Sequence, residues 1–125
     1  VENEPLGPLP DVARALLEAL LAHDLPAAPA LRAQAVSVRT RPGCTCGCGT
    51  LELVVTDDGA PLAPLHGTFP VEGEVHDDDG TPVAGLLLFV EEGRLSSLEI
   101  FSYGDDGLPL PAPDRVTWVE RPPVA

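Results

Sequence analysis

Proline constrains this chain more than any other residue type does. Its fifteen prolines, at positions 5, 8, 10, 26, 29, 42, 61, 64, 70, 82, 109, 111, 113, 122 and 123, fall between the patterned stretches rather than inside them. Proline lacks the backbone N–H and fixes φ, so it stops helices and is confined to the ends or edges of strands. Fifteen in 125 residues is more than twice the usual share of about 5%, an excess that in another arrangement would signal disorder. Here it punctuates, and the segments between the prolines can be read one by one.

The clearest is "PDVARALLEALLAHDL", where Val12, Leu16, Ala19, Leu20 and His23 recur at helical spacing, Asp11 is placed to cap, and Pro26 closes the run. The pattern predicts a helix over 11–24. "APALRAQA" supplies one or two further helical turns, entered through Pro29 at a first-turn position. "VSVRT", "TLELVV" and "VEGEVH" alternate with period two, and together with "VAGLLLFV" and "LSSLEIFSY" they predict strands near 36–40, 50–55, 71–76, 83–90 and 95–103. "DDDGT" and "EEGR" are short enough to make the turns antiparallel, "GLLLFV" is apolar on both faces as a central strand would be, and "VTWVE" can add an edge. The expectation is an α+β domain: an N-terminal helix and a short second helical segment packed on an antiparallel meander of about five strands. Its core is expected from Val12, Leu16, Leu20, Val38, Leu51, Leu53, Val75, Leu86, Leu88, Leu98 and Ile100. A single domain over 1–125 follows, with 1–10 and 120–125 frayed.

Charge narrows the function. Twenty Asp and Glu stand against seven arginines and no lysine, a formal net charge of −13. The arginines are scattered from Arg14 to Arg121, so neither a nucleic-acid backbone nor an anionic membrane surface finds a cationic stripe. The acidity serves solubility, including in a salt-rich cytoplasm, or recruits a basic protein partner. "VENEPLGPLP" has neither the cationic start nor the apolar run of a signal peptide, and no stretch reaches the ~18 apolar residues of a membrane helix, which points to the cytoplasm, where thiols stay reduced. The start at Val1 leaves a trimmed leader open.

All three cysteines sit in "GCTCGCG", residues 43 to 49, in the turn expected between the first two strands. Alternate residues of an extended chain project the same way, about 6.6 Å apart at Cα, so Cys44, Cys46 and Cys48 need only a modest curl to converge. Gly43, Gly47 and Gly49 would provide that curl through φ > 0. Three thiolates meet most of the demand of a zinc ion, with sulfurs at ~2.3 Å, or of copper(I). No fourth cysteine exists, so His66, His76 or a carboxylate would have to complete the shell. A disulfide between such neighbours would be strained and reducible, and Arg39 and Arg41 would favour a reactive thiolate. The third reading is a glycine-rich turn whose thiols pack as small apolar groups.

Other constellations carry less. "HDDDGT" lacks the D-x-D-x-D-G spacing of a calcium loop and reads as a hairpin turn, while His23 reads as a helix C-terminal cap. No nucleophile elbow, H-E-x-x-H, phosphate loop or dinucleotide fingerprint occurs, so no catalytic residue is assigned. With "CTCGCGTLEL" and "GRLSSLEIFSYGDDGLPLPAPDRV" in view, the chain resembles a group of small bacterial proteins of no assigned activity. These pair a C-G-C-G loop with a late L-S-x-L-E-[VI]-[FY] strand. The resemblance implies one α+β domain of bacterial origin and carries over no functional residue. The functional expectation is a non-catalytic acidic module for a basic protein partner, in the manner of immunity proteins and antitoxins. The alternative is a thiol protein that binds zinc or copper(I), or does redox chemistry, through the cysteine loop.

Overall fold

The computed structural model describes residues 5–43 and 48–121. Two helices, α1 (Asp11–Leu21) and α2 (Ala28–Ala35), precede seven strands: β1 (Val38–Pro42), β2 (Leu51–Val55), β3 (Gly67–Thr68), β4 (Val71–His76), β5 (Pro82–Glu91), β6 (Arg94–Ser102) and β7 (Val116–Glu120). All strand pairs are antiparallel, in the order β1-β2-β6-β5-β4-β7, with β3 beside β5 just ahead of the kink at Pro70. The α+β class and the helices on an antiparallel sheet are as the sequence predicts. The sheet is wider than the expected five strands, by β3 and by β7 at the edge.

α1 turns Ala13, Leu16, Leu17, Leu20 and Leu21 onto the sheet. Asp11 does not cap it: Pro10 stands at the N-cap, its carbonyl accepts from the Arg14 N–H at 2.9 Å, and no side chain caps the end. The helix stops at Leu21, three residues short of expectation. His23 bonds the Leu20 carbonyl at 2.9 Å and sets its ring edge-on to Trp118. Val36 follows α2 at 84% exposure, so β1 begins only at Val38. Val12 and Leu51 are half-buried, while the other nine expected core residues are buried. Residues 5–10, expected to fray, are pinned: Gly7 exchanges two backbone hydrogen bonds with Thr40, at 2.7 and 2.9 Å, and Leu9 enters the core.

β4, β5 and β6 form a meander closed by two turns. The first, Asp77–Thr81, folds around the Asp77 carboxylate, which accepts from the N–H groups of Asp79 at 2.9 Å and Thr81 at 3.0 Å. The second has positive φ at both central residues, Glu92 (49°) and Gly93 (83°), the pairing of a two-residue type I′ turn.

The hairpin β1–β2 joins this meander through a short seam. Only Leu51↔Leu98 and Glu52↔Ser97 are in register between β2 and β6. At one end of the seam the Thr50 hydroxyl accepts from the Ile100 N–H at 3.0 Å and donates to the Ile100 carbonyl at 3.3 Å. At the other end Gln34 of α2, fully buried, takes the place of the missing rung. Its Oε1 accepts from the Leu95 N–H at 2.9 Å, and its Nε2 donates to the carbonyls of Pro61 at 2.8 Å and Gly93 at 2.7 Å. One amide thus ties α2, the β5–β6 turn and the 61–65 segment together. Gln34→Leu keeps the bulk but strands the buried Leu95 N–H, leaves Gly93 only the Ala63 N–H, and returns the Pro61 carbonyl, on an exposed residue, to solvent. At about 1–3 kcal/mol for a buried unsatisfied group, the variant is expected to lose about 3 kcal/mol in urea or guanidinium unfolding.

Candidate functional site

Of the five residues proposed from sequence as metal ligands, Cys44 and Cys46 lie outside the described residues. Cys48 is half-buried against the edge of the core, in contact distance of the strap that runs from β6 to β7. That strap explains the glycines. A Cβ on Gly49 would fall 2.4 Å from the Leu110 nitrogen, one on Gly107 would fall 3.2 Å from the Cys48 Cβ, and the Gly49 N–H donates to the Leu108 carbonyl at 2.8 Å. Neither Gly43 nor Gly49 has positive φ, so the freedom expected of them is not what they supply. They make room, Gly49 for the strap and Gly43 for Thr50, whose Cγ2 would lie 2.8 Å from an added Cβ.

The two histidines are not brought together. His66 lies at the β5–β6 turn, where its Nδ1 accepts from the Glu92 N–H at 3.0 Å and so braces the residue at φ 49°. Cys48, the described cysteine, is at the opposite end of β2, ahead of Leu51. His76 ends β4 at the end of the sheet where β2 begins, but β5 and β6 lie between β4 and β2, about 14 Å apart at the usual strand spacing. Its ring nitrogens are within hydrogen-bond distance of the Gly80 carbonyl (3.2 Å) and the Thr117 hydroxyl (3.1 Å). Arg41, expected beside the thiols, makes a two-point contact with the Glu52 carboxylate at 2.9 and 3.0 Å. Among the described residues no three His, Cys, Asp or Glu side chains are grouped to hold a metal.

What sequence reasoning missed is the other face of the sheet. Both helices pack on one side, and the strand register aligns the outward residues in three rungs. The first is Arg41, Glu52, Ser97, Phe89 and Thr68; the second Glu99 and Leu87, continuing to Glu72 and Val119; the third Phe101, Gly85, Glu74 and Thr117. Phe101 lies over Gly85, where a Cβ would fall 2.2 Å from the ring. Phe101 also tilts against Tyr103, with centroids 5.9 Å apart. The result is an apolar ridge of Phe89, Leu87 and Phe101 flanked by Glu52, Glu99, Glu72 and Glu74. No described element covers it. Arg41 meets Glu52 and Arg121 meets Glu72 at 3.2 Å, while Glu99 accepts from the Ser97 hydroxyl at 2.9 Å. The signal was present in the sequence as Glu72, Glu74 and Glu99 alternating with core residues, but it named a face only once the register was known.

Compared with protein-family models, with curated proteins and with solved structures, the chain matches none of them. Among the described residues no helix is long and apolar enough to cross a membrane.

The strap's fit to the loop is testable. Gly49→Ala is expected to cost about 1–3 kcal/mol, the usual range for forced overpacking. Gly104→Ala, whose nearest neighbour would be the Ser102 hydroxyl at 3.8 Å, is expected to change stability by no more than about 0.5 kcal/mol. Paired denaturant titrations read both.

Proposed function

We propose that the protein is a non-catalytic acidic interaction module that covers a basic protein partner with the open face of its sheet, in the manner of an immunity protein or antitoxin. The observation that carries this reading is the apolar ridge of Leu87, Phe89 and Phe101 lined by glutamates on an uncovered face. Arginine and lysine side chains are built for such a surface: their aliphatic stems lie on apolar side chains while their charged ends reach the carboxylates. An arginine can also stack on Phe89 or Phe101. The net charge of −13 adds a long-range field that draws a cationic partner in and turns acidic ones away.

The test uses charge reversal on the face against reversal elsewhere. Affinity capture from the source cell is expected to recover a basic protein at low ionic strength. The partner is expected to be lost as the Debye length falls to ~3 Å near 1 M salt. Glu99→Lys with Glu72→Lys should lower its association rate at least tenfold, and Glu18→Lys on α1 should leave it within about twofold. A captured protein that is indifferent to salt and to the face variants would contradict the reading.

A further inference from the structure

Beside the ridge, the sheet opens along its short seam. Hydrogen-bonded rungs at Gly43/Thr50, with the Gly43 N–H to the Thr50 carbonyl at 2.9 Å, and at Ser37/Thr56, with the Thr56 N–H to the Ser37 carbonyl at 3.4 Å, set the phase of the β1–β2 ladder. In an antiparallel pair the hydrogen-bonding direction alternates. Glu52 and Val54 therefore bond to β1, while Leu51, Leu53 and Val55 direct their N–H and C=O groups away from it, toward β6. Leu51 meets Leu98 there. Leu53 and Val55 meet nothing in register, because β2–β6 pairing stops at Glu52↔Ser97 and a bulge at Ser96 carries β6 away. The Leu95 N–H, which would have been the next rung, is held by Gln34.

The gap is a groove of about 740 Å³, walled by Leu53–Val55 on one side and Arg94–Ser96 on the other, with Leu62 and His66 at its end. Three carboxylates, Glu52, Glu91 and Glu92, border it; Glu52 is held by Arg41, and Arg94 makes a long 3.4 Å hydrogen bond to the Asp58 carbonyl, so the acidic border is chiefly Glu91 and Glu92. The groove thus offers a strand edge two hydrogen-bonding residues long with an acidic border.

We infer that this groove receives an extended, basic segment of a partner protein, which pairs with β2 at Leu53 and Val55 by strand addition. Main-chain hydrogen bonds supply the attachment and alternate side chains supply the selectivity. A segment of about three residues spans the two rungs at ~3.3 Å per residue. Its cationic side chains lie on the outward face of Glu52 and Val54, within reach of Glu91 and Glu92, and the intervening apolar ones point to the side of Leu53 and Val55. The sign of the occupant's charge rests on the proposed function above. The place and mode of binding rest on the register alone.

The probe is the hexapeptide acetyl-Arg-Val-Arg-Val-Arg-Val-amide, titrated into the ¹⁵N-labelled protein at low salt. Saturable binding is expected, with at least tenfold slower hydrogen exchange at the Leu53 and Val55 amides. Three changes should each weaken binding at least tenfold: N-methylation of alternate peptide nitrogens, replacement of Arg by Glu in the peptide, and Glu91→Lys with Glu92→Lys in the protein. Unchanged exchange at Leu53 and Val55, or equal binding by the N-methylated peptide, would overturn strand addition. Equal binding by the glutamate peptide would overturn the basic occupant. These outcomes are separable from those of the face variants, since Glu99 and Glu72 lie outside the groove.

Discussion

A single buried amide holds the architecture in register. A polar side chain with no access to water costs stability unless its donors and acceptors are met, and Gln34 meets its own by joining α2 to the β5–β6 turn, the start of β6 and the 61–65 segment. The Leu95 N–H, the Gly93 carbonyl and the Pro61 carbonyl converge on it from a strand, a turn and an irregular segment. The Gly93 N–H, in turn, reaches the Leu65 carbonyl at 3.0 Å and the Ala63 N–H returns to Gly93 at 2.9 Å, so the turn is stitched from both sides. Apolar packing of α2 on the sheet supplies most of the driving force. It is non-directional, and the amide is what fixes where the helix sits along β6.

That arrangement has a consequence for the opposite side of the molecule. With Gln34 on Leu95 and Thr50 on Ile100, side chains replace ladder hydrogen bonds at both ends of the β2–β6 seam. The hairpin β1–β2 is therefore attached by two rungs and by its contribution to the core, through Val38 and Leu53. The sheet is closed behind by helices and left open in front, where its glutamates, its apolar ridge and the groove adjoin. Rigid backing and an uncovered front are what a docking surface needs, because little ordering is required on binding.

Much of the fold was legible in the sequence, for local reasons. The helical spacing of Val12, Leu16, Ala19, Leu20 and His23 and the period-two alternation of "VSVRT", "TLELVV" and "VEGEVH" are set by neighbours in the chain, and Pro and Gly mark their ends; the face that α1 buries runs instead through Ala13, Leu16, Leu17, Leu20 and Leu21. What was not legible depended on contacts far apart in sequence. Gln34 looks like a solvent-facing residue of "LRAQA", and only the arrival of Leu95, 61 residues on, makes it buried. Gly49 suggested backbone freedom, but its reason is Leu110. His66 and His76 were grouped with the cysteines by residue type, and the fold gives them other partners, Glu92 for His66 just ahead of β3 and Gly80 with Thr117 for His76 at the end of β4. The acidic composition was visible at once, yet that the glutamates share a face with Phe89 and Leu87 followed only from which strands pair.

Native-state hydrogen exchange tests the role of Gln34 most directly, because it reads the Leu95 N–H itself. If the side-chain amide replaces the missing rung, the Leu95 amide exchanges only through global opening, with a protection factor like that of Leu87 at the centre of β5. The Leu53 amide, directed into the groove, exchanges orders of magnitude faster. Equal and rapid exchange of Leu95 and Leu53 would contradict the account, since it would mean that the seam frays at this end and that Gln34 does not hold it.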